Sequence, residues 1–148
     1  MPADPDNDVR LAVYRHFVDH GEPPRAADVG DTLGIGAEEA AAAFRRLADA
    51  RVLVLSPGSL DIWMANPLCS APTGFWVTTA RGSWWGTCIW DALGIPAMLG
   101  TDGTVETACP DCFEPMELVV EDGALRPVDG VAHFAVPAAR WWANIGFT

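Results

Sequence analysis

All seven tryptophans of this 148-residue chain lie at Trp63 or beyond it, while the residues before them are rich in alanine and carry apolar positions at helical spacing. That division limits the fold. Helices must come first, a mainly β part must follow, and the large flat side chains of the second part must be buried or used there. Val9, Ala12, Val13, Phe17 and Val18 predict a first helix over residues 9–18, stopped by Gly21-Glu22-Pro23-Pro24. A second helix is expected over Ala26–Leu33, closed by Gly34-Ile35-Gly36. A third is expected over 37–50, with Phe44 and Leu47 as its larger core contacts.

After these helices, residues 52–55 read as a strand, Ser56-Pro57-Gly58-Ser59 as a turn and 60–64 as a returning strand. Three helices and a hairpin form a winged-helix-like pattern. Asn66-Pro67 and Ala71-Pro72-Thr73-Gly74 mark a crossing, which places one part at residues 1–66 and a second at 67–148. In the second part, strands are expected at 75–79, 83–85, 105–108, 117–121, 131–136 and 141–147. A helix carrying Cys88 follows the second of these. The whole reads as α+β: a helical, winged-helix-like N-terminal part packed on a mixed, mostly antiparallel C-terminal sheet.

Charge narrows the partners. The net charge is −11, and all nine basic residues are arginines. An acidic surface repels phosphate backbones, and the third helix sets Glu38 and Glu39 against Arg45 and Arg46, so no nucleic-acid partner is expected. No apolar run is long enough to span a bilayer, and no basic segment precedes an apolar one as in a secretory signal. A cytoplasmic location and no membrane partner are therefore expected. The oligomeric state is not legible.

Four cysteines without an export signal argue for metal or thiol chemistry rather than disulfides. Cys88 and Asp91 stand out. On a helix, residues three apart share a face. A cysteine near a helix N-terminus has its thiolate favoured by the dipole and by free N–H groups. A carboxyl held among Trp84, Trp85 and Trp90 has its pKa raised by desolvation, so it can hold and deliver a proton. The bland alternative is a structural cysteine beside a capping or arginine-paired aspartate.

The run Gly86-Thr87-Cys88-Ile89-Trp90-Asp91-Ala92-Leu93-Gly94-Ile95-Pro96 resembles the active-site segment of the organomercurial (alkylmercury) lyases. There, too, a Cys-x-x-Asp pair leads into a Leu-Gly-Ile-Pro-like run. Cys109, about twenty residues on, and the final stretch from Arg140 to Phe147 are similar as well. The resemblance implies an enzyme that cleaves a carbon–mercury bond by protonolysis and requires no cofactor, mercury being the substrate metal. Cys88 is then the first thiolate and Asp91 the proton shuttle. It also implies a second catalytic cysteine in the last segment. No cysteine follows Cys112 in this sequence, and Trp142 or Ala143 is read at that place. A two-thiolate cage of the family's kind is therefore expected to be missing, and a diverged organic substrate, biosynthetic in kind, becomes an alternative.

Cys109-Pro110-Asp111-Cys112 is a Cys-x-x-Cys turn, a spacing that suits one zinc ion, a redox pair or no direct role. Cys69 and His133 are candidates to complete a zinc site. The pair is also a candidate to reach Cys88, which gives a metal-ligand set of Cys88, Cys109 and Cys112. Trp84, Trp85, Trp90 and Trp142 are the candidate walls of an aromatic pocket for a small organic or organometallic substrate, against the alternative that they build a core. If residues 141–147 form a strand, only one of Trp141 and Trp142 faces Cys88. His16 and His20, four apart on a helix, read as surface residues. Two further function classes stay open: a non-catalytic soft-metal or thiol-ligand binder, and a winged-helix regulator.

Overall fold

The computed structural model describes residues 4–147. Helix α1 (Pro5–His20) starts where Asp4 accepts the N–H of Asp6 and Pro5 fills the first turn, and it stops at Gly21 in the left-handed region. Val9, Val13 and Phe17, four apart, form its buried stripe. Helices α2 (Ala26–Leu33) and α3 (Ala37–Asp49) follow, and α3 buries Ala40, Ala41, Ala43, Phe44 and Leu47. Arg46 of α3 holds Asp6 of α1 at 2.6–2.8 Å. This ion pair is exposed, so solvent screening leaves it little weight in stability. The expected order of three helices and a hairpin is present.

Among the described residues, eight strands form one sheet: β1 (Val54–Leu55), β2 (Ile62–Ala65), β3 (Leu68–Cys69), β4 (Trp76–Thr79), β5 (Gly82–Gly86), β6 (Gly103–Ala108), β7 (Pro115–Glu121) and β8 (Ala124–Leu125). Their order across the sheet is β1-β2-β3-β5-β4-β6-β7-β8, and every neighbouring pair is antiparallel. The expected division at 66/67 falls in the turn between β2 and β3, which pair Met64 with Cys69 and Ala65 with Leu68. One sheet therefore runs across that point, and one core cluster takes in Phe17 and Phe44 from the front part with Val77, Trp84 and Val105 from the rest.

Register sets the two faces of the sheet. Val77 lies opposite Trp84 on one side and Val105 on the other, and Val105 opposite Leu118. This row faces the helices, and the Trp84 Nε1–H donates to the Phe17 carbonyl at 3.2 Å. Cys69, Trp85, Trp76 and Glu106 are likewise opposite one another and occupy the other face.

Helix α4 (Ile89–Leu99) leaves the end of β5 after a two-residue step and lies on the Trp84 face. Gly86 makes that possible. A Cβ there would stand 2.7 Å from the Ala92 Cα and 2.9 Å from its N.

Two expected strands are absent. Residues 131–136 have no ladder partner, and Val131 is 92% exposed. Residues 141–147 are replaced by a 3₁₀ helix at Ala138–Ala143 and the turns after it. Pro137 at its N-cap lacks an N–H for a ladder and favours a helical start. Trp141 instead packs on Phe134, ring centroids 5.1 Å apart, and donates its Nε1–H to the Val136 carbonyl at 2.7 Å. The alternation argument for Trp141 and Trp142 falls with the strand.

Gly86→Ala is expected to force α4 away from β5 and to cost about 1–3 kcal/mol. Ala92→Gly should not rescue it, because the contact is with backbone atoms. Thermal denaturation of the single and double variants checks this; full recovery in the double variant would contradict it.

Candidate active site

Cys88 is the N-cap of α4, with an extended backbone (φ −145°, ψ −177°), and its carbonyl accepts the Ala92 N–H at 2.8 Å. One turn of helix brings Asp91 onto the same side. The Cys88 Sγ–H donates to Asp91 Oδ2 at 3.6 Å. Both side chains are half-buried.

Burial raises the Asp91 pKa, and the hydrogen bond from Cys88 only partly opposes this. Burial also raises the Cys88 thiol. The N–H groups of Asp91 and Trp90 pull it down, and the Asp91 charge pushes it up again. The expected thiolate at the helix N-terminus is thus outweighed by desolvation. In the free protein the pair favours a thiol beside a proton-retentive carboxyl.

The segment before Cys88 is tied down at each step. The Gly86 N–H donates to the Phe75 carbonyl, and the Gly86 carbonyl accepts from Thr73 Oγ1 at 2.6 Å. The Thr87 N–H donates to the Pro67 carbonyl at 3.2 Å, and Thr87 Oγ1 to Asn66 Oδ1 at 3.0 Å. Tyr14 reaches over from α1, and its hydroxyl donates to the Asn66 carbonyl at 2.7 Å. Burial raises the Tyr14 pKa, Arg10 opposes this and the Asp91 charge adds to it. The sequence assigns no site role to Tyr14, Asn66 or Thr87. Their only signals were a lone tyrosine and an Asn-Pro dipeptide.

The tryptophans do not form one wall. Trp84 is 2% exposed and belongs to the core under α1, so it is not available to a substrate. Trp85 lies on the opposite sheet face, 4.6 Å from the Trp76 ring centroid. Trp142 lies under the Arg51 guanidinium, 5.7 Å from it. Trp90, two residues after Cys88, is 70% exposed. Two clefts, one between the three front helices and one of about 190 Å³ beside Trp141 and Phe147, have neither Cys88 nor Asp91 in their walls.

The expected metal sets are not assembled either. Among the described residues, no three of His, Cys, Asp and Glu gather as ligands, so Cys88 does not join Cys109 and Cys112, nor do Cys69 and His133. Cys69 is buried in β3, where desolvation raises its thiol. His20 is exposed, as expected, while His16 is half-buried, and their rings stack at 4.1 Å. No helix among the described residues is long and apolar enough to cross a membrane.

The family model of alkylmercury lyase (MerB) matches residues 68–148, which take in β3 to β8, Cys88, Asp91 and Cys109. The chain belongs to the alkylmercury lyase family. A solved structure, the mercury-bound form of MerB2, has the same fold with a TM-score of 0.65 and 19% sequence identity, covering 86% of this chain. The chain spans about 60% of the length of that relative. No curated protein matches.

The folded state holds the Asp91 proton more tightly than the unfolded chain does. The stability from that preference is complete below the ordinary carboxylate value of 3.8 and is lost as pH rises through the raised value. Asp91→Asn has no such loss. Its melting temperature relative to the parent is expected to rise as pH climbs from the ordinary carboxylate value of 3.8. A difference that stays flat as pH climbs would refute the assignment.

Proposed function

We propose that this chain captures an organomercurial through Cys88 and cleaves its carbon–mercury bond with a proton carried by Asp91. The observation that carries this reading is the Cys88 thiol hydrogen-bonded to the Asp91 carboxylate at 3.6 Å, inside the segment matched by the alkylmercury lyase family.

The steps follow from the two groups. An R–Hg⁺ cation binds the sulfur and displaces the thiol proton, which passes along the existing hydrogen bond to Asp91. This gives R–Hg–S–Cys88 beside a neutral carboxyl. The carbon–mercury bond then breaks with its electron pair on carbon, and carbon takes the Asp91 proton. The products are R–H, mercury(II) on sulfur, and an Asp91 carboxylate. Thiolates favour soft metals, which directs the first step. Desolvation of Asp91 keeps the proton in place until carbon takes it. The ties on Gly86 and Thr87 fix the sulfur against the carboxyl, so orientation is set before substrate arrives.

In this reading the exposed indole of Trp90 is an apolar surface for the organic group R. Mercury(II) is then the metal at Cys88 and no further cofactor takes part. A small organic substrate other than an organomercurial is the diverged version of the same proton chemistry. Soft-metal capture without cleavage is the alternative.

Methylmercury incubation with gas-phase detection separates these outcomes. Methane is expected from the parent chain and none from Cys88→Ser, whose hydroxyl is a poor ligand for mercury. Asp91→Asn is expected to bind methylmercury while releasing methane about 10²–10⁴-fold more slowly. Stoichiometric mercury retention by the parent with no methane would assign capture alone, and full activity in Cys88→Ser would end the reading.

A further inference from the structure

The turn between β6 and β7 carries a second sulfur pair that the lyase reading does not use. The ladder ends at the pair Ala108–Pro115, and residues 109–114 close the hairpin. The Cys109 N–H donates to the Glu114 carbonyl at 2.9 Å, and the Phe113 N–H to the Cys109 carbonyl at 2.8 Å. These bonds curl the backbone around Cys109. The Phe113 bond closes one helical turn, and residues three apart on such a turn share a side, so Cys109 and Cys112 lie on one side of the loop. Neither is in a disulfide, Cys112 is exposed, and Cys109 is half-buried.

Two further observations mark the turn as more than a connection. Phe113 has φ +60°, a left-handed conformation that a bulky residue rarely adopts, and its ring is 77% exposed. Neither core packing nor strand pairing explains it.

The ligand count decides what such a pair takes. Zinc in a structural site wants four ligands. Among the described residues, no third His, Cys, Asp or Glu joins the two cysteines. Soft cations that are satisfied by two sulfurs in a line need no more. We propose that Cys109 and Cys112 form a two-thiolate site for a soft, linearly coordinating cation such as Hg²⁺ or Cu⁺. For a divalent ion, two S–H bonds are replaced by two S–metal bonds and two protons leave to solvent. No redox step is involved, and the site stands on residues 109–113 independently of Cys88.

The test uses the full chain with Cys88→Ser, reduced and free of air, titrated with mercuric chloride against a competing monothiol. One mercury per chain is expected, with sulfur-to-mercury charge-transfer absorption and X-ray absorption showing two sulfur neighbours. Adding Cys109→Ser or Cys112→Ser should weaken binding by about 10²-fold or more, the usual gain from a second tethered contact. Both residues lie in a surface turn, and circular dichroism verifies that the variants fold. Equal binding after loss of Cys112 would overturn the proposal. So would three or four sulfurs per metal with pairing of two chains, which would assign the turn to an ion shared between copies.

Discussion

The change from strand β5 to helix α4 takes only Thr87 and Cys88, and the placement of the reacting groups depends on that short step. A strand can pass straight into a helix lying on its own sheet only if the backbones nearly touch, and the bare Cα of Gly86 against Ala92 allows it. The backbone groups of Gly86 and the donors of Thr87 are then claimed by Phe75, Thr73, Pro67 and Asn66. Cys88 has little freedom left. Its sulfur meets Asp91 because the chain on either side is fixed, and not because the two attract strongly.

Desolvation then sets the chemistry of the pair. A helix N-terminus favours a thiolate, but half-burial raises both Cys88 and Asp91 toward their neutral forms. In the proposed reaction Asp91 hands a proton to carbon, and for that step this is the useful direction. A thiolate fully formed beside an ionised aspartate would place two like charges at hydrogen-bond distance, with no proton in the site to deliver. In the same proposal the thiol supplies that proton when metal replaces it on sulfur.

Local pattern made much of this legible in the sequence. Helix α2 is bounded by Pro24 and Gly34 and occurs at the expected residues, and the i, i+3 spacing brought Cys88 and Asp91 to notice. Strands β3 and β8, two residues each, are too short to show a period. The alternating residues 131–136 carry a strand pattern without any neighbouring strand to use it, and Pro137 turns the chain into a 3₁₀ helix. Trp84 and Trp85 are both candidate walls of one aromatic pocket in the sequence, yet neighbours on a strand point to opposite faces. Tyr14 lies 52 residues from its partner Asn66, a contact that only the folded chain creates.

The carbonyl of Phe17 accepts two donors, the Gly21 N–H that closes α1 and the indole N–H of Trp84 at mid-sheet. Both lone pairs of one oxygen are thereby used, one within the helix and one across the core. Breaking this fastening would strand an indole N–H in a dry interior. One oxygen thus ties the front helices to the sheet, and a proteolytic fragment cut at either side of Asn66 would keep only half of that joint.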